Sequence, residues 1–180
     1  MSEKNVNKKI VLAGGPSTGK TSVMNELKKN RFCCFQEAAR EILNEFKLRG
    51  LEFKTDPIKI SESIFKKREL DYKAANLLDC KKTCVFFDRG IHEITAYLRS
   101  INKSSKYWDR LPFNYEYDLI FLFEPWEKIY KKDENRIEDF SKAMQISPFI
   151  FKIYEESGTK IIKVPNTSVK DRVRFILDNI

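Results

Sequence analysis

Apolar positions follow two rhythms along this chain. Short unbroken runs stand at Ile10-Val11-Leu12-Ala13, Phe32-Cys33-Cys34-Phe35, Val85-Phe86-Phe87, Leu119-Ile120-Phe121-Leu122-Phe123 and Ile161-Ile162. Runs of this kind suit parallel strands covered on both faces. They predict strands over 9–13, 31–36, 83–87, 118–123 and 160–164. Between them the apolar residues recur at helical spacing. The first helix is expected over 20–30, and a second opens at Glu37-Ala38-Ala39-Arg40 and ends near Gly50. A third starts at Asp56-Pro57, an N-cap followed by proline at the first helical position, and runs to about Asp79. Its stripe is Ile58, Phe65, Tyr72 and Ala75. Residues 91–100 read as helix, and 102–114 as a loop or short helix. Residues 127–133 read as a short helix or lid segment. Residues 138–156 read as helix interrupted at Ser147-Pro148 and closed by Gly158. Ser168 with Asp171 starts a last helix whose apolar face is Val169, Val173, Ile176, Leu177 and Ile180. Strand and helix alternation implies a three-layer α/β/α fold around a parallel sheet. In such sheets ligands bind beyond the C-terminal ends of the strands.

Composition narrows this little. The chain has 180 residues, enough for one domain with a real core. No stretch is long and apolar enough to cross a membrane, and Met1 to Lys9 carries no signal-peptide core, so a cytoplasmic protein is expected. Cys33, Cys34, Cys80 and Cys84 lie in or beside apolar runs without CxxC spacing, and are expected to be buried thiols. The formal net charge is +8. The basic residues are scattered, and dense patches such as Lys66-Lys67-Arg68 are short and flanked by acids. A solvated surface with a phosphate pocket therefore accounts for the charge more simply than a nucleic-acid track.

The candidate chemistry centres on Gly14-Gly15-Pro16-Ser17-Thr18-Gly19-Lys20-Thr21-Ser22, between the first strand and the first helix. This is the G-x-x-x-x-G-K-T phosphate-binding loop. Its backbone N–H groups and the helix N-terminus attract phosphate. Lys20 is expected to reach the β- and γ-phosphates of ATP or GTP, and Thr21 to bind Mg²⁺. Asp88 ends the third strand, where a carboxylate holds the hydrated metal or takes a proton. Arg89 follows it in place of the second acid common in hydrolytic motors, which favours transfer to a bound acceptor. Arg89 either grips an acceptor or a phosphate with its two-pronged guanidinium or forms a salt bridge to Asp88 or a helix acid. Glu37 ends the second strand, where it suits a general base, and Arg40 follows one turn on. Arg136 lies in a charged segment suited to a mobile lid. Trp126 either stacks on a base or packs the lid root. His92 lacks the second histidine a metal site would need.

The set Leu12 to Ser22, Glu37-Ala38-Ala39-Arg40-Glu41-Ile42, Phe86-Phe87-Asp88-Arg89-Gly90, Pro125-Trp126-Glu127-Lys128-Ile129-Tyr130 and Arg136-Ile137-Glu138-Asp139-Phe140 resembles the NadR-like family of P-loop ATPases. Its members are often labelled AAA domain and look like nucleoside and nucleotide kinases. The resemblance spans 10–180. It implies a five-stranded sheet of order 2-3-1-4-5, ATP or GTP with Mg²⁺, and a lid over about 124–146 bearing Arg136. Ser17 departs from the family's usual glycine and is tolerable if its φ is negative; Glu124 departs from a frequent proline. The expected function is a Mg²⁺-dependent phosphotransferase within one domain, 1–180. It would pass the γ-phosphoryl to a hydroxyl of a small nucleoside-like acceptor, with Glu37 or Asp88 as base. Lys20 and Arg136 would offset charge, and Glu37, Arg40 and Arg89 would line the acceptor. The rivals are a nucleotide-dependent switch or slow NTPase, and, from the charge, a polynucleotide end kinase. The sequence leaves the oligomeric state open.

Overall fold

A computed structural model describes residues 7–37, 39–48, 56–80, 83–129 and 140–180. Five strands form one sheet: β1 (Lys8–Ala13), β2 (Cys33–Phe35), β3 (Cys84–Asp88), β4 (Leu119–Leu122) and β5 (Ile161–Lys163). Their order is β2-β3-β1-β4-β5 and all pairings are parallel, as the resemblance implies. The helices are α1 (Lys20–Lys29), α2 (Ala39–Leu48), α3 (Pro57–Ala75), α4 (His92–Ser100), α5 (Lys106–Arg110), α6 (Phe140–Glu156) and α7 (Val169–Asp178).

The two-residue alternation of a strand splits its apolar run between two cores. Ile10 and Leu12 face Val23, Met24 and Leu27 of α1 and Val173 and Ile176 of α7. Val11 and Ala13 face Ala75 of α3, Ala96 of α4 and Ile150, Ile153 and Tyr154 of α6. This is why the strands read as unbroken runs. Asp56 caps α3, its side chain accepting from the Lys59 N–H at 2.9 Å. Ser168 caps α7, its hydroxyl oxygen accepting from the Asp171 N–H at 3.2 Å. Gly158 closes α6 at φ +71.

Four expectations need correction. The helix over 140–156 is not interrupted: Pro148 lies inside α6. Proline removes one backbone donor there, but Pro148 is exposed, and water can take the deserted carbonyl while the opposite face stays packed. The buried stripe of α7 is Arg172, Val173 and Ile176, with Val169 and Leu177 exposed. Cys33 is not a thiol: it is disulfide-bonded to Cys80, with Cα atoms 6.2 Å apart. Strand alternation puts Cys33 on the α3 side of the sheet and Cys34 on the other, where Cys34 and Cys84 remain thiols. Arg68 is not part of a solvated patch but buried, donating to the Gly90 carbonyl at 2.7 Å. Gly50 and the 130–139 segment lie outside the described residues. Among the described residues no helix is long and apolar enough to cross a membrane.

Candidate active site

The C-terminal ends of β1, β2, β3 and β4 deliver the P-loop, Glu37, Asp88 and Glu124 to one edge of the sheet. The loop leaves β1 at Gly14, whose φ of +140 puts it where a Cβ would run into the Phe123 carbonyl oxygen. Gly19, at φ +84, caps α1 in the left-handed region. Ser17 is also left-handed, at φ +60. The expected negative φ does not hold, and serine carries a strain that glycine at this position would not.

Lys20 is buried and folded back on its own loop. Its ammonium donates to the carbonyls of Gly14 and Gly15, each at 2.7 Å, and to Thr18 Oγ1 at 3.0 Å. Burial first, then the Arg89 charge, lowers its pKa to about 8, against the pull of Asp88, Glu93 and Glu37. Phosphate charge beside it would favour the protonated form again. Thr21 and Ser22 are exposed at the start of α1.

Asp88 ends β3 and is buried, which pushes its carboxyl up to about 6 although Lys20 and Arg89 oppose the shift. Among the described residues no donor reaches its Oδ1. Arg89 follows at φ +72, with its N–H on the Leu12 carbonyl at 3.2 Å. That turn sends its side chain between two acids. Nε lies 2.5 Å from Glu37 Oε1, and Nη1 3.1 Å from Glu93 Oε2. The salt-bridge alternative is therefore present, with Glu37 and the helix acid Glu93 as partners. Glu93 was not legible as a site residue. Its one cue is the i, i+4 spacing from Arg89.

The backbone of Arg40 lies in α2, and its side chain is outside what the structure describes. Arg136 lies outside the described residues. Trp126 packs at the root of the 124–129 segment, with the Arg172 guanidinium 4.6 Å from its ring centroid. Glu124 accepts from Lys163 at 2.7 Å in an exposed pair. His92 is buried against the Tyr154 ring, centroids 4.9 Å apart. Neither ring nitrogen has a partner among the described residues, and burial lowers its pKa to about 4.

Solved structures share this fold. A deoxyadenosine kinase from M. mycoides, solved with products dCMP and a flexible dCDP, superposes with a TM-score of 0.71 at 15% identity, over 95% of this chain and 97% of that one. A NadR protein in complex with NR gives 0.69 at 16% identity, over 97% of this chain and 50% of that one. A thymidylate kinase from Candida albicans gives 0.69 at 14% identity, over 97% and 91%. No curated protein matches the sequence. A family model described as AAA domain matches residues 9–172. With that match spanning most of the chain, over the P-loop and the five-stranded parallel sheet described above, the protein belongs to this AAA-domain family.

Proposed function

We propose that the protein is a Mg²⁺-dependent phosphotransferase that passes the γ-phosphoryl of ATP or GTP to a hydroxyl of a small, nucleoside-like acceptor. The carrying observation is the Glu37–Arg89–Glu93 arrangement at the mouth of the P-loop. A hydrolytic switch has no use for a second carboxylate close enough to Asp88 to influence its charge. A kinase can use one to receive the acceptor's proton.

The residues present suit a divalent cation. Asp88 Oδ1 is buried without a partner among the described residues, and Thr21 is exposed at the neighbouring helix start. These two would hold Mg²⁺, which supplies charge neutralisation on the phosphates when bound. The chain's own contribution is as follows. Loop amides and Lys20 orient the phosphates. Arg89 fixes the Glu37 carboxylate at 2.5 Å and is itself braced by Glu93. Glu37 takes the hydroxyl proton as the acceptor oxygen bonds to the γ-phosphorus and the bond from that phosphorus to the β–γ bridging oxygen breaks, releasing ADP or GDP. Fold likeness to deoxyadenosine kinase, thymidylate kinase and NadR supports the same reaction class.

The test is a screen of nucleosides and cofactor precursors for accelerated ATP or GTP consumption, with the phosphorylated product identified by mass spectrometry. One acceptor is expected to raise consumption well above background. E37Q is expected to lower acceptor-dependent turnover about 100-fold or more while nucleotide binding persists. Consumption that no acceptor accelerates favours the switch reading. Wild-type turnover in E37Q removes Glu37 as the base.

A further inference from the structure

Arg172 touches none of the groups assigned a chemical step, yet it is 2% exposed. It stands on the stripe by which α7 packs against the sheet. One guanidinium N–H donates to the Thr18 carbonyl at 2.9 Å, and another reaches Asn166 Oδ1 at 3.5 Å. Its Nε is buried without an acceptor among the described residues. Its Cζ lies 4.6 Å from the Trp126 centroid and 5.8 Å from that of Phe123. A Cβ on Gly19 would sit 2.8 Å from Arg172 Nη1 and 3.0 Å from Ile129 Cδ1. Three segments thus meet at one cation: α7, the last turn of the P-loop, and residues 124–129.

A buried guanidinium is costly unless its donors are used. An apolar residue would pack this stripe of α7 without that cost. The chief donor is spent on a P-loop carbonyl, and peptide planarity gives that contact a consequence. In a trans peptide the C=O and the following N–H point in opposite directions. Holding the Thr18 oxygen against α7 therefore aims the Gly19 N–H away from α7. The ring of Trp126 lies against the same cation, an arrangement that favours both partners when desolvated.

We propose that Arg172 is a positioning residue for nucleotide binding: it holds the Thr18–Gly19 peptide so that the Gly19 N–H enters the phosphate cradle, and it seats Trp126 and the 124–129 segment against the back of that loop. This rests on the P-loop reading above, but it needs no acceptor and can be tested without one.

The experiment measures binding of ATP, GTP and inorganic tripolyphosphate, each with Mg²⁺, by calorimetry to wild type, R172Q, R172K and W126F. It also follows the Gly19 amide resonance of ¹⁵N-labelled protein. R172Q is expected to weaken tripolyphosphate and the preferred nucleotide alike by about tenfold or more, while thermal unfolding stays cooperative. The Gly19 amide is expected to shift on tripolyphosphate binding in wild type and to lose most of that shift in R172Q. R172K is expected to recover part of the affinity, since it keeps the charge but not the fork. W126F leaves the Thr18 contact in place and is expected to lose less than R172Q. Folded R172Q with affinities within twofold of wild type and an unchanged Gly19 shift overturns the proposal. If R172Q does not fold, R172K decides it, and unchanged affinity there overturns it. Wild type that binds neither nucleotide nor tripolyphosphate overturns this proposal and the P-loop reading together, whereas wild-type binding with an indifferent R172Q overturns this one alone.

Discussion

At the scale of single residues, two side chains sit in states that ordinary chemistry disfavours. Ser17 holds φ +60 inside the phosphate-binding loop. Replacing it by glycine removes the Cβ clash and adds some freedom to the unfolded chain. The balance favours S17G by about 0.5–1 kcal/mol, visible as a higher Tm. His92 is held neutral, its pKa lowered to about 4 by burial against Tyr154 and Tyr117. The unfolded chain takes up a proton at this position below about pH 6.5. The folded chain waits until about pH 4, so stability falls as pH drops through that window. From the difference between the two values the His92 share is about 3 kcal/mol. H92F is expected to flatten the stability profile there by about one proton's slope, measured by denaturant unfolding at several pH values. Site legibility was uneven at this scale. Glycine and lysine spacing marked the P-loop, because a phosphate cradle demands those types at fixed intervals. Arg68, Glu93 and Arg172 gave no comparable signal. A buried ion on a helix looks like a solvated one until its partner, 22 or 154 positions away, is brought beside it.

Among the elements, β2 and the segment that follows α3 are joined by the Cys33–Cys80 disulfide across a sequence separation of 47. That loop contains Glu37, α2 and α3, the side of the site assigned here to the acceptor. Closing a loop of this size is worth about 4 kcal/mol on the chain-entropy model. Reduction with a phosphine is therefore expected to lower unfolding stability by about 2–4 kcal/mol. The C80S variant is expected to start lower and to ignore the reductant, and C34S to respond as wild type does. The reading of these cysteines as thiols failed because nothing in a 47-residue spacing signals contact. Strand alternation separates Cys33 from Cys34 but does not say what faces either. The strands themselves were legible because burial on both faces leaves no polar position to break the run. Pro148 misled for a related reason: proline's local cost was visible, while the packed face of α6 that outweighs it was not.

For the molecule as a whole, the formal charge of +8 overstates what a polyanion would meet. Lys20, Arg68 and Arg172 are buried and committed to backbone carbonyls. Oligonucleotides at physiological salt are accordingly expected neither to accelerate nucleotide consumption nor to bind with the steep salt dependence of a phosphate track. Stimulation by a DNA or RNA end would revive the polynucleotide reading. The three-layer class followed from alternation of strands and helices. The strand order did not follow from periodicity, which says nothing about neighbours; it came through the resemblance carried by five separated motifs.

On the proposed function, Lys20 serves its own loop as well as the nucleotide. With its ammonium bonded to the Gly14 and Gly15 carbonyls and to Thr18 Oγ1, it ties together the loop proposed to wrap a triphosphate. Admission then calls for swinging one side chain aside rather than ordering a slack loop. Capture should be quick and its heat modest, because some of the attraction replaces bonds already made. K20M is therefore expected to cost twice over: a bound triphosphate would lose a cation, and the loop would lose the three bonds that tie it together.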